Sequence, residues 1–98
     1  MIKTFISTIP PYRWHARLLG ELCPCDGRTV EWSLSWSGTK SPHSSTSGPD
    51  LFVYQRDDGL NEPGILTATA LIKEAGVTVY VSDPVYLVIT SDTYYSYA

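Results

Sequence analysis

The chain has little that would commit it to chemistry. Its 98 residues include two cysteines, two histidines and a single asparagine. That residue, Asn61, precedes Glu62-Pro63, so no N-glycosylation acceptor exists. Charged residues make up only 17% of the chain and the formal net charge is −3, against a usual charged share of about a quarter. Residues 1–28 carry four Lys or Arg against two acids and the remainder three against eight. No basic stripe is left for a nucleic-acid backbone. No apolar run approaches the roughly 20 residues of a spanning helix, so no membrane partner is expected. The N-terminal apolar stretch of MIKTFISTIPPYRW is stopped by Pro10-Pro11. It falls short of the core of about 7–15 apolar residues in a signal peptide, and no small-residue cleavage motif comes after it. The expectation is synthesis without export, in a cytoplasm. Helical periodicity beyond a single turn is missing as well.

What is present is alternation. Leu66, Ala68, Ala70 and Ile72 fall on one face of an extended segment, and Thr67, Thr69 and Leu71 on the other. After a turn at Glu74-Ala75-Gly76, Val77, Val79 and Val81 alternate with Thr78, Tyr80 and Ser82. Asp83-Pro84 then interrupts the ladder, because proline has no N–H to donate, and Val85, Leu87 and Ile89 resume it. Val30, Trp32, Leu34 and Trp36 alternate with small or charged residues over Thr29 to Ser37. A first strand is expected over Ile2 to Ile9. A second is expected over Tyr12 to Leu22, with Trp14, Ala16 and Leu18 inward, Arg13, His15 and Arg17 outward, and a phase shift near Leu19-Gly20. Gly38 to Asp50 is a polar surface loop with room for one short edge strand, and Leu51 to Arg56 is a short strand. The expected core joins Trp32, Leu34, Trp36, Leu66, Ala68, Ala70, Val79 and Leu87. Nothing in this length leaves room for a second domain.

The segment from Gly64 to Val85 resembles the closing hairpin of an immunoglobulin-like domain. The resemblance is carried by Gly64, Leu66, Ala68 and Ala70, then Gly76, then the kink Ser82, Pro84 and Val85. Leu66 stands where the family's corner tyrosine is usual, and Ala68 stands where its cysteine is usual, so no inter-sheet disulfide is available there. The resemblance implies an all-β, immunoglobulin-like sandwich of about seven antiparallel strands over residues 1–90, and beyond it a Tyr-rich tail at 91–98. It points to the disulfide-free modules of tailed-bacteriophage virion proteins and bacterial surface proteins.

Candidate chemistry is thin. Cys23-Pro24-Cys25 is too tight for a relaxed disulfide, and His15 and His43 do not complete a zinc spacing with it, so two free thiols are expected. Asp50, Asp57, Asp58 and Glu62 cluster in loops without the EF-hand spacing, and Asp58-Gly59 is foremost a turn signal. His15 on an outer strand face and His43 in a polar loop read as two solvated side chains with no nucleophile-elbow or metalloprotease spacing beside them. No catalytic residue, metal or cofactor is expected.

The tyrosines are the better lead, since a Tyr ring buries a large area at an interface and keeps a hydroxyl for a hydrogen bond. The expected partner-binding set is Ile2 and Phe5 at one end of the chain, Tyr80 and Tyr86 on the closing strands, and Tyr94, Tyr95 and Tyr97 at the other end. The expected function is a non-enzymatic binding module, a capsid decoration protein of a bacteriophage that docks on the major capsid protein or another virion protein. Such a protein is assembled in the host cytoplasm and leaves by lysis, and it can self-associate on the particle. A tail or baseplate component is the alternative in the same class. A carbohydrate-binding or adhesion module, stacking Trp14 or Tyr rings on a host-surface glycan, is the alternative from another class, and the burial of the three Trp discriminates.

Overall fold

The computed structural model describes residues 2–6, 12–19, 27–54, 63–90 and 94–97. These form nine strands and no helix: β1 (Ile2–Ile6), β2 (Tyr12–Leu18), β3 (Arg28–Trp36), β4 (His43–Ser47), β5 (Asp50–Tyr54), β6 (Gly64–Glu74), β7 (Val77–Val81), β8 (Val85–Ile89) and β9 (Tyr94–Tyr97). One antiparallel sheet has the order β1-β2-β5-β4. The other runs β3-β6-β8-β9, and β7 also pairs with β6. The inner faces of the two sheets share one core, so the domain is a two-layer β-sandwich.

That core obeys the alternation. Trp14 and Ala16 of β2 and Leu51 and Val53 of β5 meet Leu66 and Ala68 of β6 and Val85, Leu87 and Ile89 of β8. Leu18, Ala70 and Ile72 continue the packing as a second cluster, and Ile2 and Trp32 pack against both. A register shift on β2 lies between Tyr12 and Trp14, and Gly20, near which a phase shift is expected, lies outside the described residues. The polar segment before β5 does hold an edge strand, β4, turned into β5 by Gly48-Pro49 with Gly48 at φ 57°. Leu18 N–H donates to Pro49 O at 2.8 Å and Trp32 Nε1 donates to Gly48 O at 3.3 Å, so this turn is held by both sheets.

β3 keeps its expected phase, with Trp32 opposite Ala70, Leu34 opposite Ala68 and Trp36 opposite Leu66. Its burial is weaker than expected. Trp32 and Trp36 are half-buried and Leu34 is 38% exposed, so Leu34 is not a core residue. β3 is an edge strand with a neighbouring strand on one side only, and its Trp32 and Trp36 lie at the margin of the core. Trp36 lies against backbone: a Cβ on Gly38 would stand 2.7 Å from its ring, and one on Gly64 2.5 Å. Ser37 extends the ladder past Trp36, donating its N–H to Ile65 O and accepting from Ile65 N–H at Oγ.

The largest departure is β7. The alternation predicts Val79 in the core, yet all five residues of β7 are exposed, with Val77 at 64%, Val79 at 46% and Val81 at 55%. The β6–β7 register slips between Ile72 and Lys73, so Ile72 faces Tyr80 while Lys73 faces Thr78. Val79 is the extra residue of a bulge, and a bulge reverses the phase of the residues beyond it. The break after β7 is bridged by the buried Ser82, whose N–H donates to Ala70 O and whose Oγ accepts from Ala70 N–H, both at 2.9 Å. The Ser82 side-chain oxygen serves Ala70 N–H as acceptor in place of a strand carbonyl, at the point where the ladder breaks ahead of Pro84.

Candidate binding surface

The seven residues expected to bind a partner are separated by strand phase. On β1, Ile2 lies opposite Leu18 and packs into the core, so it presents little to a partner. Phe5 lies opposite His15 and is exposed on the outer face. The Phe5 and His15 rings stack at 5.6 Å and 28°, and His15 stacks on Phe52 at 4.6 Å and 10°. A row of three rings thus crosses β1, β2 and β5. His15 is therefore not a solvated side chain: both ring faces are covered and Nε2 is 2.7 Å from Asp50 Oδ1. Arg17 Nε lies 3.7 Å from the same oxygen, and Lys3 Nζ lies 5.7 Å from the Phe5 centroid. The aromatic row is thus bordered by the charged side chains of Lys3, Arg17 and Asp50.

The second surface is the outer face of the other sheet. Thr67 and Tyr97 flank Tyr86 on their own strands, and Ile65 and Tyr95 flank Val88. Tyr86 and Val88 are half-buried, while Ile65 and Tyr95 are exposed, the latter at 47%. Tyr94, by contrast, lies opposite the buried Ile89. The segment expected to lie past the sandwich as a tail therefore includes an edge strand of the sheet. It is tied to the other sheet as well, since Ser96 Oγ donates to Thr4 Oγ1 at 2.8 Å. β1 and β9 thus each have a sheet partner, β2 and β8 respectively. Tyr80 stands apart on β7, opposite Ile72.

Phe52, Ile65 and Val88 belong to these surfaces and are absent from the expected set. Each is an apolar residue in the outward phase of its strand, beside buried neighbours such as Leu51, Leu66 and Leu87, and that phase is the signal that could have found them. Trp14 is fully buried, so it cannot stack on a sugar. Among the described residues, no group of three or more His, Cys, Asp or Glu is placed to hold a metal ion. Cys23, Cys25, Asp57, Asp58 and Glu62 lie outside the described residues. Comparison with protein-family models, with curated proteins and with solved structures finds no match.

Proposed function

We propose that the chain is an immunoglobulin-like, non-catalytic binding module of a bacteriophage virion, and specifically one that decorates the capsid by docking on a shell protein. The strand order supports the immunoglobulin-like part. The order β1-β2-β5-β4 over β3-β6-β8 parallels the A-B-E-D and C-F-G sheets of a constant-type immunoglobulin domain, with β7 and β8 as two stretches of its last strand and β9 added beside it. Ala16 and Ala68, fully buried in one cluster and contributed by facing sheets, suit a member of that class without a disulfide.

The observation that carries the binding part is the outward patch of Ile65, Tyr86, Val88 and Tyr95, apolar and aromatic side chains spent on a face that does not build the core. Tyr side chains beside exposed and half-buried apolar ones suit docking by surface complementarity on another protein. The test is occupancy on particles. Purified virions of the phage that encodes this chain should contain it, and Tyr95→Ala with Ile65→Ala should reduce its occupancy at least about tenfold with the fold intact. Particles that lack the protein would refute the virion reading, and undiminished occupancy of the double variant would move the docking surface elsewhere.

A further inference from the structure

Sheet edges in this molecule are guarded unequally. β4 presents Ser44, Ser45, Thr46 and Ser47, β3 carries Arg28 and Glu31, and β1 carries Lys3 and is joined to β9 through Thr4 and Ser96. Charged, polar or covered edges of this kind resist pairing with another chain. β7 has none of these guards. Its sequence is Val-Thr-Val-Tyr-Val, every residue is exposed, and among the described residues it pairs with β6 alone.

We infer that β7 is a self-association edge, and that its occupant is β7 of a second copy of this chain in antiparallel, two-fold pairing. The sequence is self-complementary in that sense. A two-fold axis at Val79 sets Val77 opposite Val81 of the second copy, Val79 opposite its own counterpart, and Thr78 opposite Tyr80. β-branched and aromatic cross-strand pairs of this type are the favourable ones, and a two-fold contact needs only one patch that matches itself. Charge does not oppose it. In that register Asp83 meets Ala75 and Glu74 meets Pro84 of the other copy, and Glu74 Oε2 already lies 3.5 Å from Arg28 Nε. The Val79 bulge and Pro84 limit the ladder to a few residues, which keeps the contact small, reversible and closed at two copies. A dissociation constant on the order of 10⁻⁴ M suits so small an interface. The inference does not depend on the virion reading, because the patch on β8 and β9 and the β7 edge are different surfaces.

Sedimentation equilibrium of the full chain under reducing conditions tests it, with thiol cross-linking through Cys23 or Cys25 thereby suppressed. The mass should rise from that of a 10.9 kDa monomer toward twice that value as the concentration approaches about 1 mM. Val79→Lys should weaken the association at least about tenfold, since two like charges then oppose one another across the two-fold, and Val77→Lys, which sets a charge against Val81 of the second copy, should weaken it as well, while circular dichroism and melting show the fold kept. Ile65→Lys, on the other surface, should leave the association unchanged. A wild-type chain still monomeric at that concentration overturns the inference. So does association that survives both β7 variants, or that is lost with Ile65→Lys instead.

Discussion

Two segments of nearly the same composition lie end to end along β6. Val77-Thr-Val-Tyr-Val81 forms β7 and Val85-Tyr-Leu-Val-Ile89 forms β8, and both pair antiparallel with β6. In β8, Val85, Leu87 and Ile89 are buried at 2% exposure or less, whereas every residue of β7 is exposed. Strand propensity and period-2 pattern are alike in the two, so neither accounts for the difference. The partner layer does. β8 packs against Trp14, Ala16, Leu51 and Val53 of the opposite sheet, and no β7 residue belongs to either core cluster. An alternating apolar strand is thus material for a core or for an interface, and the opposing layer decides which.

Truncating one side chain in each segment gives the largest expected difference. Leu87→Ala should cost about 2–5 kcal/mol, because it removes a fully buried side chain and leaves a cavity, while Val79→Ala should stay within about 0.5 kcal/mol. Denaturant unfolding measures both, and equal costs would mean that β7 is packed in solution. A smaller effect is expected where the two segments join. Ser82→Ala should cost about 1–3 kcal/mol, since Ala70 N–H loses the acceptor it has in the interior. Accelerated hydrogen exchange at Ala70 would accompany that loss, and an unchanged exchange rate would assign the effect to something other than this bond. The smallest effect has the opposite sign. Ala75 holds φ 51° beside Gly76 at φ 81°, both positive as in a type I′ hairpin, where alanine is disfavoured. Ala75→Asn should stabilise the domain by about 0.5–1 kcal/mol without altering β8, and thermal melting reads it. A destabilised variant would show that the hairpin is not limited by this turn.

The candidate surface is legible in the sequence only in part. Phe5, Tyr86 and Tyr95 are expected contact residues and do lie on outer faces, half-buried or exposed. Ile2 is expected there for the same reason, an apolar residue near a terminus, and packs inward because β1 pairs with β2 in the register that sets Ile2 opposite Leu18. His15 is readable as outward from its phase, but its two phenyl neighbours come from residues 5 and 52, and no local pattern links them. The same holds for Asp50, which a loop reading sets among possible cation ligands and the fold places on His15 and Arg17.

The alternation in the sequence was enough to locate most strands, the shared inward face of β2, β6 and β8, and the reversal at Ala75-Gly76. These properties come from local backbone geometry: side chains alternate every residue in an extended chain, and proline and glycine act on their own dihedrals. Which faces are covered follows from the packing of the two sheets on one another. The bulge at Val79, the open edge at β7, the incomplete cover of Leu34 and the recruitment of Tyr94–Tyr97 as a ninth strand all depend on how far one sheet extends over or beside another. Burial is a relation between segments distant in the chain, and the period of one strand carries no information about the reach of the layer that packs on it.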